Sequence, residues 1–422
     1  MNPPVIVVHY HELWLKGRNR RFFLRKLALA LREGLGGLAI ERIEQPGDRF
    51  VLRMHEGADV AEAIGRLQRI FGIVYYAVAR TADRDLEAIC RAAWEEVQKL
   101  DFSTFAVRAK RSDKKFPHPV MEIERVVGRY LLDRFAEAGR DVRVNLDDPE
   151  ITCRVEIPPG PALVYARKIS GTGGLPANTG GRMMCLLSGG YDSAVAAYLM
   201  MKRGAHLAFA HFYSGGGSSG ESSSHVAREL ARVLAQYQYT AKLWRVPFEP
   251  IQREIVAAAP ESFRILLYRR MMLRIAEAIA HREHSLALIT GDSLGQVASQ
   301  TLQNMVTVGE AARLPVFRPL AGTDKLEVLA LARKIGTYDI SSEKFHDCCP
   351  TFMPRTPELH ATAKEIAKAE MNLDISALVR LGMNGAMVER FRYRNGTIQR
   401  VESFIEPRKA AAKPAVCETA SA

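Results

Sequence analysis

The feature that most constrains the fold is residues 183–204, which pass from an apolar stretch through a glycine loop into a helical pattern. Residues 183–187, Met-Met-Cys-Leu-Leu, are typical of a buried strand. Ser-Gly-Gly-Tyr-Asp-Ser follows at 188–193, and residues 194–202 combine good helix formers with an apolar face before Gly204 stops the pattern. A strand, a glycine loop and a helix start bring backbone N–H groups to one point, where they can bind phosphate.

The loop at 188–193 differs from two common phosphate-binding motifs. No Gly-Lys-Ser/Thr follows it, so it is not a Walker A loop, and its spacing is not that of a GxGxxG fingerprint. By itself, a Gly-Gly pair between a strand and a helix usually marks only a tight turn. Residues 206–212 form a second apolar strand, and the resulting βαβ unit predicts a parallel, doubly wound sheet. Ligands of such sheets bind beyond the carboxyl ends of the strands, so we expect the loop, His211, Phe212 and the segment after Thr290 to meet there.

Length and composition predict a globular, multidomain protein that works in a reducing compartment. The 422 residues suffice for two to three domains, and 47% hydrophobic with 25% charged residues is typical of a soluble chain. No apolar run has membrane-spanning length, and the first residues lack the features of a signal peptide. Six cysteines in so long a chain favour the cytoplasm over a disulfide framework. The net charge of +12 is compatible with a nucleic-acid partner and also with a generically basic enzyme.

The region before residue 182 has the pattern of a separate α+β part. We predict a strand at 5–10, a helix at 20–33 with Asn19 as its N-cap, and two strands within 40–54. Residues 74–169 alternate helices with strands, which indicates segregated helices beside a mostly antiparallel sheet. The Gly-rich stretch that follows, 170–181, is predicted to be a linker, and the nucleotide domain begins after it.

A run of basic residues lies between a predicted strand and the helix that follows it. Five cations oppose a single Asp113 there: Arg108, Lys110, Arg111, Lys114 and Lys115. Such a run is most often a solvated face, but a strand end and loop beside an aromatic residue also suit contacts with a phosphate backbone. A second basic stretch carries Lys16 and Arg18, and its simplest interpretation is a basic surface loop.

Three other stretches carry local signals. Ser214–Ser224 is almost entirely Gly and Ser, which predicts a mobile loop near the nucleotide and a candidate lid. Asp324 is a predicted N-cap for a helix that continues over 326–334, and Lys325 beside it is otherwise an ordinary surface lysine. The Ala-, Lys- and Pro-containing tail beyond Pro407 is predicted to be disordered.

Together, these ordered motifs resemble the tRNA 4-thiouridine synthetases, the tRNA sulfurtransferase family that is also called the thiamine biosynthesis protein I family. The resemblance covers residues 5 to 405. It is carried by the segments 12–19 (Glu-Leu-Trp-Leu-Lys-Gly-Arg-Asn), 107–111 (Val-Arg-Ala-Lys-Arg), 187–193, 270–272, 290–297, 299–301, 318–320 and 324–325.

The resemblance implies an α/β protein with ferredoxin-like and THUMP α+β domains, followed by a doubly wound, parallel-sheet PP-loop ATP pyrophosphatase domain. The domains it implies are residues 1–72 (ferredoxin-like), 73–169 (THUMP, binding tRNA), 170–181 (linker), 182–406 (PP-loop) and 407–422 (tail). It also implies the chemistry, in which ATP with Mg²⁺ adenylates the O4 atom of a tRNA uracil and a protein-bound persulfide sulfur then displaces AMP.

The family's functional positions carry over residue by residue. Asp192 is implied to serve catalysis or to bind Mg²⁺, and Lys325 to hold phosphate. The basic residues Lys16, Arg18, Arg108, Lys110, Arg111, Lys114 and Lys115 are implied to contact tRNA. No other side chains are assigned to a metal. The implied nucleotide contacts are Leu186, Leu187, Ser188, Gly189, Gly190, Ser193, His211, Phe212, Arg269, Gly291 and Gln300.

Cys348 and Cys349 lie where the family keeps its sulfur-transfer cysteine, and we assign that role to Cys349 with Cys348 second, because a one-residue shift exchanges them. On the residues alone, two half-buried thiols are an alternative. Adjacent Cα atoms are ~3.8 Å apart, below the usual disulfide range of ~4.4–6.8 Å, so Cys348 is a poor disulfide partner for Cys349. Cys185, an external thiol or an iron–sulfur cluster remain as partners, and the cluster is disfavoured because CxxC spacing is absent.

Longer family members carry a rhodanese domain, for which this chain ends too early, so a separate sulfur donor such as a cysteine desulfurase is expected. A homodimer is a family expectation, and no membrane partner is expected. Another ATP-dependent thiolase, an amide-forming adenylating enzyme and a tRNA-binding module with a vestigial ATPase are the alternatives. The basic module argues against amide formation. Ser188, Asp192, Lys325 and the cysteine pair argue against a vestigial ATPase.

Overall fold

The computed structural model describes residues 4–214, 218–343 and 352–405, and two β-sheets organise them. No helix within these ranges is long and apolar enough to cross a membrane. The first sheet consists of β1 (Val5–His9), β2 (Ile40–Glu44), β3 (Arg49–Met54), β4 (Tyr75–Ala82), β5 (Thr104–Arg111), β6 (Arg143–Val144), β7 (Ile151–Ile157), β8 (Ala162–Tyr165) and β9 (Ile169–Ser170). Its helices are α1 (Arg20–Gly34), α2 (Val60–Leu67), α3 (Leu86–Val97) and α4 (Val120–Glu137), and Glu12–Asn19 is a 3₁₀ segment.

The first sheet is continuous across both predicted N-terminal domains and strongly curled. Its order is β2-β3-β1-β4-β8-β7-β5-β6, and β4 pairs with β1 along its length and with β8 near its end. Arg49 on β3 and Glu156 on β7 are four strands apart, a distance of ~19 Å in a flat sheet at ~4.8 Å per strand. The Arg49 guanidinium nevertheless donates directly to the Glu156 carboxylate. The sheet therefore bends back on itself, and both side chains are buried inside the curl.

The second sheet has the doubly wound topology that the sequence predicts. Its strands are β10 (Arg182–Leu186), β11 (His206–Tyr213), β12 (Thr240–Pro247), β13 (Leu288–Ile289), β14 (Val316–Phe317), β15 (Met387–Arg394) and β16 (Thr397–Ile405). Their order is β14-β13-β10-β11-β12-β15-β16, and the first five strands run parallel. The chain proceeds from β10 to β11 on one side and returns to β13 on the other, so the strand order reverses at β10. Such a reversal opens the crevice in which ligands of these folds bind.

Helices cover both faces of the second sheet. They are α5 (Tyr191–Lys202), α6 (Ser218–Gln238), α7 (Glu249–Ala258), α8 (Arg264–Arg282), α9 (Leu302–Gly309), α10 (Lys325–Ile335), α11 (Tyr338–Ser342), α12 (Ala363–Glu370) and α13 (Ile375–Asn384). One apolar layer packs Phe209 and Leu243 with α5 and α6, and the opposite layer packs Met184 and Trp244 with α8. The antiparallel hairpin β15–β16 extends the edge next to β12 and was not predicted.

Two local predictions were wrong. Asn19 makes no side-chain capping hydrogen bond, because a 3₁₀ segment leads directly into α1, which runs one residue further than predicted, to Gly34. The loop predicted for Ser214–Ser224 is helical from Ser218 onward, and residues 215–217 lie outside the described ranges. The buried Ser223 hydroxyl contacts His211 Nε2 at 3.0 Å, so packing against the sheet overrides the loop-like composition.

The stretch predicted to be a linker is tied to both halves of the protein. Gly171 N–H donates to Val74 O at 2.8 Å, and Leu175 N–H donates to Lys202 O at 2.9 Å. At Gly174, φ is +75° and a Cβ would lie 2.2 Å from Lys202 O, so only glycine fits there. The connection is therefore an ordered strap between the two sheets.

Candidate active site

The predicted phosphate loop joins β10 to α5 and is held by its own two serines. Ser193 Oγ accepts from Ser188 N–H at 3.1 Å, and Ser188 Oγ accepts from Gly190 N–H at 3.2 Å. No side chain caps α5 at Gly190, so the first N–H groups of a 12-residue helix have neither an intrahelical nor a capping partner. A Cβ at Gly190 would meet only Ser188 Oγ, at an ordinary 3.5 Å, so internal packing does not require glycine there. This open, uncapped helix start fits a phosphate group.

His211 supports the loop from the neighbouring strand. Its ring is buried, and its Nδ1 lies 3.0 Å from Leu187 O while its Nε2 lies 3.0 Å from Ser223 Oγ. This geometry suits a neutral imidazole that donates from Nδ1 and accepts at Nε2. Burial lowers the pKa of His211 to about 4, although the hydrogen bond to Leu187 opposes this shift.

A cavity of about 260 Å³ opens beside His211 at the carboxyl ends of β10 and β11. Five predicted nucleotide contacts line it together with Ala210, Ser214 and Met272: Leu186, Leu187, Ser188, His211 and Phe212. Its walls are mainly apolar side chains with a few polar groups, which is the usual character of a small-molecule site. The structure thus brings these five residues together, as the strand-end rule predicts.

The two charged residues expected to act on phosphate lie side by side. Lys325 Nζ is 2.6 Å from Asp192 Oδ1, and Gln296 Nε2 donates to Asp192 Oδ2 at 3.0 Å. Asp324 caps α10 by accepting from Glu327 N–H, as predicted, which places Lys325 at the first position of that helix. The ammonium group also lies 5.5 Å from the centre of the Tyr191 ring. The start of α5 is therefore flanked by one carboxylate and one half-exposed cation.

Of the remaining predicted nucleotide contacts, Gly291 and Gln300 belong to the segment after β13, and Arg269 lies on α8. Gly291 lies so close to the start of α5 that a Cβ there would be 2.6 Å from Ser193 N, so a side chain would displace the phosphate loop. Arg269 on α8 donates to Ser299 O and Oγ at 3.0 Å each and forms an ion pair with Asp292. Gln300 is buried, and its Oε1 has no partner among the described residues. These residues meet the phosphate loop at the crevice between β10 and β13.

Three cysteines are candidates for a role in sulfur transfer. Cys348 and Cys349 lie outside the described residues. Cys185 on β10 is buried in the apolar layer against α5, and burial raises the pKa of its thiol to about 12. A thiol must be accessible and ionised to attack a disulfide or persulfide. Cys185 is therefore unsuited to resolve a spent sulfur carrier, which leaves an external thiol as the simpler partner.

Several residues of the predicted RNA surface also hold the fold together. Lys110 pairs with Asp48 across the curled sheet, and Arg111 Nη1 donates to Phe116 O at 3.0 Å and to His118 O at 3.2 Å. Arg108 donates to Leu146 O at 2.6 Å. The exposed members of the predicted set are Arg18, Lys110, Lys114 and Lys115, while Lys16 lies 5.2 Å from the centre of the Phe23 ring.

An apolar groove next to the basic run was missed from the sequence. It encloses about 390 Å³ between α4 and the edge of the first sheet, with Phe105, Val107 and Leu132 among its lining residues. Arg125 and Arg129 also line it, and both are exposed. The signal was present, because Met121, Arg125 and Arg129 recur at i, i+4 and i+8 on one face of a helix. A groove with apolar walls and arginines suits an unpaired nucleotide, whose base stacks while its phosphate is bound.

The N-terminal basic stretch is fixed to the nucleotide domain. Arg203, directly after α5, donates to both carboxylate oxygens of Glu12 at 2.7 and 3.1 Å. Hydrogen bonding from Arg203 lowers the pKa of Glu12. The Tyr239 hydroxyl donates to Ala30 O at 2.9 Å from the other side of the junction. These contacts hold the stretch that carries Lys16 and Arg18 at the far end of the helix that starts at the phosphate loop.

Family comparisons match the three parts of the chain separately. Residues 5–77 match the ThiI ferredoxin-like domain, residues 80–166 match the THUMP domain, and residues 178–375 match the family described as thiamine biosynthesis protein (ThiI). A probable tRNA sulfurtransferase of Thermus thermophilus is 42% identical over 383 residues, which are 91% of this chain and 93% of the relative. A probable tRNA sulfurtransferase of Moorella thermoacetica is 41% identical over 374 residues, or 89% and 94% of the two chains.

Solved structures give the same result. A 4-thiouridine synthetase in complex with RNA and with bound ATP superposes with a TM-score of 0.83 at 31% identity, covering 92% of this chain and all of the other. The protein PH1313 of Pyrococcus horikoshii superposes with a TM-score of 0.60 at 25% identity, covering 79% of this chain. The ferredoxin-like, THUMP and ThiI matches follow one another along this chain in that order. The identity to relatives over nearly the full length shows that this chain belongs to the tRNA sulfurtransferase (ThiI) family.

Proposed function

We propose that this protein makes 4-thiouridine in tRNA by adenylating a uracil with ATP and then replacing the activated oxygen with sulfur. The observation that carries the proposal is the carboxyl edge of the second sheet around β10, where an uncapped helix start, the cation Lys325 and the cavity beside His211 lie close together. The same chain carries exposed cations on its first sheet, which suit contacts with tRNA phosphates.

In the first step, the uracil O4 attacks the α-phosphorus of ATP, the α–β anhydride bond breaks, pyrophosphate leaves, and N3 gives up its proton. The carbonyl oxygen, a poor leaving group, thereby becomes part of AMP, a good one. The start of α5 and Lys325 would bind the phosphates, and Asp192 would hold Mg²⁺, which typically takes one or two carboxylates with phosphate oxygens. The ion supplies further neutralisation of phosphate charge. The protein's own contribution is to align the reactants and to stabilise developing charge.

In the second step, the terminal sulfur of a Cys349 persulfide attacks C4 of the uracil, and the bond between C4 and the AMP oxygen breaks. A thiol then attacks Cys349 Sγ, which cleaves the sulfur–sulfur bond and leaves the transferred sulfur on the base as the thiocarbonyl. The disulfide formed with Cys349 requires reduction by a further thiol before the next cycle. The persulfide comes from a separate sulfur donor, such as a cysteine desulfurase.

The proposed tRNA contacts follow from exposure and charge. Arg18, Lys114 and Lys115 are exposed and suit phosphate contacts, whereas Arg125 and Arg129 beside the apolar groove suit an unpaired end of the tRNA. The ion pair between Glu12 and Arg203 links this surface to the nucleotide domain. A tRNA bound to the first sheet would extend from there along the nucleotide domain to the crevice at β10.

The test is thiolation of unmodified tRNA with Mg-ATP and a cysteine desulfurase with cysteine, read out as 4-thiouridine and as pyrophosphate. Wild type should form both, and Asp192→Asn should form neither at a comparable rate. Cys349→Ser should release pyrophosphate when tRNA is present but form no thiouridine, while Cys348→Ser keeps activity. Loss of activity in both cysteine variants, with iron in the active protein, would favour the cluster alternative. Binding of tRNA without pyrophosphate or thiouridine would refute the enzymatic proposal.

A further inference from the structure

We propose that Asp292 is a positioning residue that holds two arginines, Arg269 and Arg318, as a pair, and that Arg318 is a second phosphate-binding guanidinium of the nucleotide crevice. This inference rests on the proposed function, and it assigns roles to Asp292 and Arg318 within the same site. Arg318 follows β14 directly, at the carboxyl end of the strand next to β13.

Asp292 has four side-chain partners, of which Thr290 and Gln300 lie in its own segment and two arginines come from α8 and from the end of β14. Thr290 Oγ1 donates to Asp292 Oδ2 at 2.8 Å, and Gln300 Nε2 donates to Oδ1 at 3.4 Å. Arg269 pairs with Oδ1, and Arg318 Nε approaches Oδ2 at 3.4 Å. Each guanidinium therefore has its own carboxylate oxygen, so one aspartate fixes the separation between the two cations.

The ionised state of this carboxylate is built into the site. Asp292 is only 5% exposed, and burial alone would raise its pKa. The charge of Arg269, the hydroxyl of Thr290 and the charge of Arg318 outweigh burial, so the pKa of Asp292 lies below its ordinary value. A carboxylate that is ionised at neutral pH suits a positioning role, because it can accept charged hydrogen bonds from both arginines there.

The charges of Asp292, Arg269 and Arg318, here called the trio, do not sum to zero. Two guanidinium groups share one carboxylate, which leaves one positive charge in excess, and each arginine side chain is only 20% exposed. Arg318 Nη2 donates to Met305 O at 3.3 Å, and Nη1 has no partner among the residues that the structure describes. A partly desolvated cation with an unused donor is stabilised by an anionic ligand.

The location makes phosphate the fitting anion. Asp292 follows Gly291, which lies against the first turn of α5, so the trio is next to the uncapped helix start. Lys325 lies on the Asp192 side of that helix start. Cations from α8, α10 and the end of β14 would thus surround a phosphate at this point. The phosphate belongs either to ATP or to the backbone of the tRNA whose base reacts.

Arg318→Ala tests the assignment, with Arg313→Ala as the matched control, because Arg313 is an exposed arginine before the opposite end of β14. ATP and tRNA affinities are measured by equilibrium titration with each ligand alone, and KM and kcat are measured by tRNA-dependent pyrophosphate release. A charged hydrogen bond to phosphate accounts for a loss of about 10- to 100-fold in affinity. Arg313→Ala should leave both affinities unchanged.

The two sources of phosphate give different results for Arg318→Ala. A weaker affinity for ATP, with KM for ATP raised and tRNA affinity unchanged, assigns Arg318 to the nucleotide. A weaker affinity for tRNA, with the slope of log affinity against log salt reduced by about one, assigns it to the tRNA backbone. Wild-type affinity for both ligands would overturn the assignment. Failure of wild type itself to release pyrophosphate would instead count against the proposed function.

Asp292→Asn tests the positioning role separately, because asparagine keeps the shape but replaces one carboxylate oxygen with a donor that repels a guanidinium. We expect Asp292→Asn to weaken the same ligand affinity that Arg318→Ala weakens, by at least as much. The double variant Asp292→Asn/Arg318→Ala should lose little more affinity, because the two substitutions act through one contact. The increase in melting temperature on adding the ligand whose affinity Arg318→Ala weakens should shrink relative to wild type. A lower melting temperature with unchanged affinities would show that Asp292 is only structural.

Discussion

His211→Asn should remove a pH dependence of stability that the wild-type protein carries. The His211 ring is buried and neutral, with its pKa lowered from 6.5 to about 4. Between pH 6.5 and pH 4, this histidine is protonated in the unfolded chain but neutral in the folded protein. The free energy of unfolding therefore falls as the pH drops below about 6.5, and the loss is complete near pH 4. Above about 6.5, both states are neutral and the residue contributes no pH dependence.

The magnitude follows from the two pKa values. Their difference of about 2.5 units corresponds to roughly 3 kcal/mol over the full window, of which about 2 kcal/mol appears between pH 7.5 and pH 5. Asparagine can keep a donor towards Leu187 O but does not titrate. The stability of wild type minus that of His211→Asn should therefore shrink by about 2 kcal/mol when the pH falls from 7.5 to 5.

Urea unfolding at both pH values measures this difference, and taking wild type minus variant cancels the other titrating groups. His360→Asn is the matched control, because His360 is exposed and its ring meets water in the folded state as it does in the unfolded chain. The reasoning is refuted if the difference for His211→Asn stays constant within about 0.5 kcal/mol, as an accessible ring would give.

Three further predictions test other contacts. Gly291→Ala should weaken ATP binding at least tenfold in a direct titration and spare tRNA affinity, because its Cβ would lie 2.6 Å from an amide nitrogen of α5. Lys325→Met removes the cation beside Asp192, so single-turnover pyrophosphate release should slow by about 10²-fold or more, and an unchanged rate would contradict the phosphate role. Arg49→Leu leaves the buried Glu156 carboxylate without its guanidinium and should destabilise the first sheet by about 3–5 kcal/mol in calorimetry, whereas a smaller loss would mean that the curl opens to water.

Local signals sufficed for the phosphate loop. The apolar run, the loop and α5 follow one another within residues 183–204, and the structure has a strand, a loop and a helix there. Each of these patterns depends on residues that are close in sequence, so tertiary contacts elsewhere in the protein do not override it. The strand-end rule then brought His211 and Phe212 to the loop without any knowledge of side-chain contacts.

Composition failed where a tertiary contact decides the local structure. The Ser- and Gly-rich stretch after β11 was expected to be a loop, because these residues have low helix propensity. In the structure Ser223 is buried on α6 and its hydroxyl contacts the His211 ring. Propensity is a weak prior, and a buried hydrogen bond to a neighbouring strand outweighs it. No periodic pattern within the stretch itself could reveal that partner.

The basic run shows why charge alone does not reveal which cations also hold the fold together. Lys110 pairs with Asp48, and the two are brought together only because the first sheet curls until β3 meets β5 and β7. The curl depends on the register of strands far apart in sequence, so the sequence could not distinguish the ion-paired Lys110 from Lys114 and Lys115, although all three are exposed.

The sequence does carry a signal for the β15–β16 hairpin, and the hairpin contacts the N-terminal part of the chain. Asn395-Gly396 has φ values of +50° and +83°, as in the tight turns that this dipeptide favours. Tyr393 on β15 is buried and donates to Gly34 O at 3.3 Å, so the hairpin at the edge of the nucleotide sheet contacts the end of α1. This contact and the ion pair between Glu12 and Arg203 therefore help to fix the distance between the proposed RNA surface and the phosphate loop, and no local pattern encodes either of them.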